Sequence, residues 1–146
     1  MPSWILLIEE DDCALLLESI RWPKALSCPR CRSKQVRKFQ SSAAGAPPRR
    51  LYRCLDCGYQ YSVTAGTIFH KSHIPLRKWF LAIHRIMSDS GLTARGLQRE
   101  LNLGSYKTAW HILRSIKFEA EEDPGFVNTL AENIRSSVAR EASITG

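Results

Sequence analysis

The chain has 146 residues, of which 44% are hydrophobic, and a formal net charge of +7. That length has room for one ordinary hydrophobic core or for a few small modules. The apolar run of residues 4–8 is too short for a membrane span or a signal-peptide core, which predicts a soluble, cytoplasmic protein with no membrane partner.

The positive charge is concentrated in the middle of the chain. Residues 21–53 carry a net charge of +10 and residues 54–118 carry +6, whereas residues 1–20 carry −5 and residues 119–146 carry −4. This distribution is typical of proteins that bind a polyanion, because each phosphate that they neutralise releases condensed counterions. A solvated basic surface is the alternative, and charge alone does not decide between the two.

The first predicted element is a short helix within an acidic N-terminal segment, residues 1–25. Asp11 or Asp12 is suited to cap this helix, which we expect to continue to about Ile20. Cys13 shares a helical spacing with the apolar residues that follow it, so we predict a thiol in the core rather than a functional one.

Four further cysteines form two Cys-x-x-Cys pairs that 22 residues separate. Two such pairs supply four soft thiolates on tight turns, as a tetrahedral structural zinc site requires. A redox motif would need a strand-to-helix setting, and disulfides would need an oxidising compartment. The sequence therefore predicts a structural Zn²⁺ ion with these ligands: Cys28, Cys31, Cys54 and Cys57.

Short β-like segments surround the two cysteine pairs. Alternation predicts strands at residues 35–39, 50–53 and 59–63, and residues 41–48 are rich in Ser, Ala, Gly and Pro, as expected of a loop. We predict a zinc ribbon of three short antiparallel strands over residues 26–74. A module of this size buries little apolar surface, so metal binding, worth ~10–16 kcal/mol in small zinc peptides, should provide its stability.

From Pro75 the hydrophobic period changes to about 3.6, which predicts three helices over residues 75–118. Pro75 suits the first turn of the first helix, and Thr93 and Ser105 suit the N-caps of the second and third. We expect these apolar residues to face inward: Leu76, Trp79, Phe80, Ile83 and Met87, then Ala94, Leu97 and Leu101, then Tyr106, Ala109, Trp110, Leu113 and Ile116.

A short helix, a turn that contains glycine, and a longer helix follow the layout of a helix-turn-helix. In that layout the last helix lies in the major groove of double-stranded DNA, which predicts these contacts: Ser105, Lys107, Thr108, His111 and Arg114. Four further basic residues are candidates for DNA contacts: Arg49, Arg50, Arg77 and Lys78. An ordinary three-helix bundle with a polar outer face is the alternative, although the basic block favours DNA.

Residues 119–146 are predicted to form an acidic linker and a C-terminal helix. Asp123 suits the N-cap and Pro124 suits the first turn of this helix. Four apolar residues then recur at four-residue steps: Phe126, Leu130, Ile134 and Val138. This stripe suits packing on its own domain, and a homodimer contact through residues 124–141 stays open.

Several motifs in this order resemble the N-terminal region of zinc-ribbon insertion-sequence transposases of the DDE type. They are the first cysteine pair, the run of residues 52–69 that contains the second pair, Pro75-Leu76-Arg77-Lys78-Trp79-Phe80, Leu97-Gln98-Arg99-Glu100-Leu101 and Lys107-Thr108-Ala109-Trp110. The resemblance covers about residues 12–118. It implies that the four cysteines bind zinc, that residues 105–117 form a recognition helix, and that the ribbon and the helices recognise a transposon end.

In that family a ribonuclease-H-like domain with an Asp/Glu catalytic set follows and uses magnesium. Only 29 residues follow Lys117, and the acidic residues 119–123 look like a solvated turn, so we expect no catalysis and no small-molecule substrate. The sequence predicts a zinc-dependent, nucleoid-associated DNA-binding protein equivalent to an end-recognition region, either truncated or reused. A stand-alone transcription regulator and a zinc-ribbon adaptor for another protein are the alternatives.

Overall fold

The computed structural model describes residues 9–41, 49–70 and 72–145. Within these residues the chain forms five helices and three strands, which confirms the small α+β class. The elements in chain order are α1 (Glu10–Arg21), β1 (Val36–Ser41), β2 (Arg49–Cys54), β3 (Gln60–Ser62), α2 (Leu76–Ser88), α3 (Ala94–Glu100), α4 (Tyr106–Glu122) and α5 (Pro124–Thr145). Apart from Ser41, the predicted loop of residues 41–48 lies outside the described residues.

The chain divides into two compact units. The ribbon unit comprises the described part of residues 17–71, and the helical unit comprises the described parts of residues 1–16 and 72–146. Helix α1 contributes its first half to the helical unit and its second half to the ribbon unit. Contacts within the helical unit keep α2 to α5 together, and the domain boundaries at residues 25, 74 and 118 stay a prediction.

The ribbon unit contains a three-stranded antiparallel sheet in the order β1-β2-β3. Its core is aromatic, because Tyr52 lies with its ring centroid 5.3 Å from both Trp22 and Tyr61. The Tyr52 hydroxyl donates to Glu18 at 2.9 Å, and Lys38 forms an ion pair with the same carboxylate at 2.9 Å. The end of α1 is thereby fixed to the sheet of its own unit.

Helix α2 is the central element of the helical unit. It contacts both α4 and α5, and it buries side chains on more than one side, including Leu81 and Ala82. The prediction that Met87 faces inward was wrong, since this side chain is 37% exposed, while Ile86 is buried in the same turn. Met87 lies in the last turn of α2, where the core ends although the apolar pattern continues.

The N-termini of three helices are capped by side-chain oxygens, in one helix from a distant residue and in two from the adjacent residue. Glu10 accepts from the backbone N–H groups of Leu76 and Arg77 at 2.7 and 2.9 Å, and so caps α2 through a residue distant in sequence. Thr93 and Ser105 cap α3 and α4 as predicted, with their side chains accepting from the N–H groups three residues later.

The inward face predicted for α4 was partly wrong. Ala109 and Ile116 are buried as expected, together with Ile112, which the prediction omitted. Tyr106 and Trp110, however, are 48% and 46% exposed. The buried face is turned toward Ile112 because α4 packs against α2, α3 and α5 at once, and an apolar pattern does not reveal which side faces three neighbours.

Helix α4 also continues through Glu122, so the acidic residues 119–122 form its last turn rather than a linker or a solvated turn. Asp123 ends this helix, and its carboxylate accepts from the N–H of Phe126 at 3.2 Å at the start of α5. The described part of the α5 stripe is buried at Leu130 and Ile134 against the other helices. The side chain of Val138 lies outside the described residues.

Among the described residues, no helix has the combination of length and apolar character needed to cross a membrane.

Candidate metal centre and nucleic-acid surface

The two cysteine pairs fold into turns with matching backbone hydrogen bonds. In the first, the N–H of Arg32 donates to the carbonyl of Cys28 at 2.8 Å, and in the second the N–H of Gly58 donates to the carbonyl of Cys54 at 2.9 Å. The residue after each pair has a positive φ, 64° at Arg32 and 77° at Gly58. Glycine adopts this conformation at little cost, whereas Arg32 is held there by its turn.

These turns direct N–H groups at the sulfur atoms. Arg30 and Cys31 each donate a backbone N–H to the Cys28 Sγ at 3.4 Å, and Cys57 donates to the Cys54 Sγ at the same distance. Such donors stabilise a thiolate, the form that binds metal. The short Cys-x-x-Cys spacing therefore builds part of the site by itself.

The four thiols meet in one cluster, with all four sulfur atoms within 4.8 Å of one another. Cys28 and Cys57 are 3.7 Å apart, and Cys31 and Cys54 are 3.5 Å apart, measured between Sγ atoms. A tetrahedral Zn²⁺ ion with Zn–S bonds of about 2.3 Å places its sulfur ligands about 3.8 Å apart. The cluster fits structural zinc, and among the residues that the structure describes it is the one group of three or more such side chains brought this close.

Electrostatics within the cluster favour deprotonation of the two deeper thiols. Burial raises the pKa of Cys28, but the N–H groups of Cys31 and Arg30 together with the neighbouring thiols lower it to about 6. The N–H of Cys57 lowers the pKa of Cys54 despite the burial of that thiol. Backbone N–H groups also lower the pKa values of Cys31 and Cys57, but hydrogen bonds with the neighbouring thiols outweigh this effect and raise both pKa values instead.

Cys13 behaves in the opposite way. It is 1% exposed in the helical unit, and burial, followed by the charges of Glu10 and Asp12, raises its pKa to about 12. A protonated, buried thiol is neither nucleophile nor ligand. The prediction of a core thiol is confirmed.

The structure places the predicted contacts on α4 in two groups. Lys107, His111 and Arg114 are exposed on the same side of the helix. Ser105 and Thr108 are engaged with each other, since the Ser105 hydroxyl accepts from the Thr108 N–H at 3.1 Å and lies 2.9 Å from its hydroxyl. Ser105 and Thr108 lie at the start of the helix. Among the exposed three, the Arg114 guanidinium lies 5.0 Å from the Trp110 ring centroid, and the His111 ring lies edge-on to Trp79 with centroids 6.2 Å apart.

A second polar surface lies on α3 and was missed in the sequence. A shallow cavity of about 350 Å³ is lined by Arg95, Gln98, Arg99, Asn102 and Leu103. The Lys78 ammonium donates to the carbonyl of Asn102 at 3.4 Å, which brings one predicted contact to this cavity. The sequence contained one indication of this surface. Arg95 and Arg99 are four residues apart and so lie together on the side of α3 opposite the buried Leu97.

The ribbon unit presents a cationic row that the sequence analysis also missed. The register places Arg37 directly opposite Arg53, and Arg53 opposite Gln60. All three side chains are exposed. Two like charges in opposite positions destabilise a bare sheet, whereas an anion bound between them relieves the repulsion.

The other three residues predicted to contact DNA are Arg49, Arg50 and Arg77. Arg50 is half-buried and, by strand alternation, lies on the sheet face of Tyr52, opposite to the face of Arg53. The side chain of Arg49 lies outside the described residues. Arg77 starts α2, where its N–H donates to Glu10, and its side chain is half-buried.

Comparison with known proteins shows what the ribbon is similar to. Residues 8–60 match a family model described as the transposase zinc-ribbon domain. Over these residues the chain is similar to a transposase zinc ribbon. The matched region covers all four cysteines, and their clustered sulfur atoms fit the structural Zn²⁺ of such a ribbon.

A curated relative matches a longer part of the chain. An uncharacterized protein in transposable element ISH50 of Halobacterium salinarum is 34% identical over 103 residues. The match covers 70% of this chain and 33% of the relative, so the chain spans about a third of that protein. No solved structure matches the chain significantly.

Proposed function

We propose that this chain binds double-stranded DNA and acts as the end-recognition region of an insertion-sequence transposase. The observation that carries the proposal is the exposed cationic side of α4 in a chain whose ribbon is similar to a transposase zinc ribbon. Binding to chromosomal DNA would make the protein nucleoid-associated. The ribbon is a binding module, and no catalytic role is assigned to its residues.

In the helical unit, α3 and α4 act as a helix-turn-helix. Helix α4 enters the major groove by its N-terminal half, where Lys107, His111 and Arg114 donate to base edges. The first helix of such a pair crosses the phosphate backbone, and the cavity on α3 supplies Arg95 and Arg99 for that purpose. Base edges are thereby read by α4, and phosphates are held by α3 with Lys78.

In the ribbon unit, the row of Arg37, Arg53 and Gln60 binds phosphate oxygens. Antiparallel pairing fixes these residues across adjacent strands, so their spacing does not depend on flexible loops. The bound Zn²⁺ ion contributes a rigid cross-link between the two cysteine turns. Loss of zinc should therefore abolish the contribution of this row.

The proposal is tested by selecting duplexes from a random pool with the zinc-loaded full chain and then measuring affinity against salt concentration. Logarithmic affinity should fall with logarithmic salt by about 0.9 per phosphate contacted. Arg114→Ala and Lys107→Ala should reduce discrimination between sequences by about 1–3 kcal/mol. Arg99→Ala should weaken binding to all sequences and reduce the salt slope by about 1.

Arg135→Ala is the matched control, because Arg135 is an exposed arginine of the same unit that lies on α5. It should leave affinity and slope unchanged. Absence of salt-dependent DNA binding would refute the proposal and favour the adaptor. A selected sequence that matches inverted repeats flanking the coding region would indicate end recognition, whereas an operator elsewhere would indicate a regulator.

A further inference from the structure

The C-terminal half of α4 exposes a groove that the metal centre does not use and that the proposed DNA contacts share only at Arg114. Phe118 is 60% exposed and Trp110 is 46% exposed, which is unusual for side chains of this size. The groove has a volume of about 350 Å³ and is lined by Trp110, Leu113, Arg114, Lys117, Phe118 and Glu121.

The charges around this groove disfavour DNA as its occupant. Glu121 lines the groove, and Glu122 and Asp123 follow it directly at the end of the helix. Carboxylates beside a phosphate backbone repel it. Phe118 lies about 18 Å along the axis from the start of α4, at a rise of about 1.5 Å per residue, whereas a recognition helix reads bases with its N-terminal half.

Along the groove the positive Arg114 precedes the negative Glu121. A second copy of the groove that runs in the opposite direction therefore has complementary charges. Arg114 and Glu121 are seven residues, or about two turns, apart, so they lie on one side of the helix. If a second α4 lies antiparallel across a two-fold axis between residues 117 and 118, each Arg114 faces Glu121 of the second copy. Phe118 then lies against the aliphatic stem of Lys117 of the second copy.

We propose that the C-terminal half of α4 is a dimerisation surface that binds a second copy of this chain in antiparallel orientation. The arrangement is isologous, because each contact occurs twice across the axis. It differs from a dimer through α5, whose stripe is buried at Leu130 and Ile134 within the helical unit. Six lining residues are fewer than the roughly 20–30 per side of a stable complex, so the dissociation constant should be on the order of 10 µM.

This dimer has a consequence for DNA that rests on the proposed function. Arg114 is paired with Glu121 of the second copy, so Lys107 and His111 remain to contact base edges. Lys107 is about ten residues from the proposed axis, so the two copies of Lys107 are about 30 Å apart along the paired helices. Half-sites for two-fold dimers lie about 34 Å apart, which is one turn of DNA. The preferred target should be an inverted repeat with half-site centres about 10 base pairs apart.

Sedimentation equilibrium of the zinc-loaded full chain without DNA tests the dimer. Phe118→Asp should raise the dissociation constant at least about tenfold, since truncation of a central aromatic anchor has effects of this size. Its exposure means that folding is retained, and zinc content and circular dichroism verify this. Leu15→Asp is the matched control, because Leu15 is 41% exposed and belongs to the same unit but lies on α1.

A charge exchange tests the orientation. Arg114→Glu and Glu121→Arg should each weaken the dimer, because each places like charges together, and the double variant should restore it. A chain that stays monomeric to millimolar concentration would overturn the inference, as would single variants whose effects add in the double variant. A monomer that binds DNA refutes only the dimer, whereas a dimer without DNA affinity refutes only the proposed function.

Discussion

The ribbon unit packs aromatic rings, among them Trp22, Tyr52 and Tyr61, beside four clustered thiols, whereas the helical unit buries mainly aliphatic side chains from α2 to α5. Their charges differ as well, since residues 17–71 carry a net +9 and the rest of the chain carries −2. Metal coordination stabilises the smaller ribbon unit, whereas burial of apolar side chains stabilises the larger helical unit. A small, strongly basic module repels itself, and a metal cross-link offsets that repulsion without enlarging the core.

Removal of zinc should have the largest effect and should separate the two units. Chelation or Cys54→Ser should unfold the ribbon unit, because ~10–16 kcal/mol of metal binding is typical for small zinc modules. Hydrogen exchange should then show lost protection in β1 to β3 and retained protection in α2, α4 and α5. Cys13→Ala is the control that should keep stoichiometric zinc, and protected strands in strong chelator would contradict the comparison.

A cavity in the helical core should have the reverse effect. Leu130 is fully buried between helices of its unit. Leu130→Ala should lower the free energy of unfolding of that unit by about 2–5 kcal/mol, through lost transfer energy and the cavity that remains. Denaturant titration measures the loss, and zinc content should stay at one ion per chain. The exposed Glu132→Ala on the same helix should change neither quantity by more than about 0.5 kcal/mol.

A smaller effect is expected at the cap that Glu10 supplies to α2. Glu10→Gln replaces a charged acceptor of two backbone N–H groups with a neutral side chain that has one acceptor oxygen. The helical unit should lose roughly 1 kcal/mol of stability. Glu9→Gln removes the same charge from the preceding position and should have little effect. Equal losses in the two variants would show that general charge, rather than the cap, is responsible.

The smallest expected effect is a pH dependence that is confined to the helical unit. Burial, followed by the charges of Arg135 and Arg85, lowers the pKa of His84 below its usual value of 6.5. Unfolded chains therefore bind the proton more readily, so the stability that this residue contributes is present above about pH 6.5 and declines as the pH falls toward the folded pKa. NMR titration should show the lowered pKa directly.

His84→Gln should flatten this dependence of stability on pH relative to the parent chain. The zinc site is equally sensitive to acid in both chains, so its contribution cancels in the difference between them. An unchanged profile in the variant would assign the dependence to other groups.

The sequence determined the metal site because the ligands are encoded locally. Each Cys-x-x-Cys turn folds on its own few residues, and two such turns at this separation leave few alternatives to a tetrahedral site. Helix starts at Thr93 and Ser105 were likewise predictable, because a capping side chain acts only three residues away. The three strands and five helices followed from hydrophobic periodicity.

Tertiary structure decided the faces and the partners of these elements. The apolar residues of α4 form a broad surface, and only packing against α2, α3 and α5 determined that Ile112 is buried while Trp110 is exposed. Strand register brought Arg37 opposite Arg53, and Glu10 reached the start of α2 across more than sixty residues. Local patterns specify which elements form, but contacts between distant segments depend on the whole fold, because each element's apolar surface allows more than one neighbour.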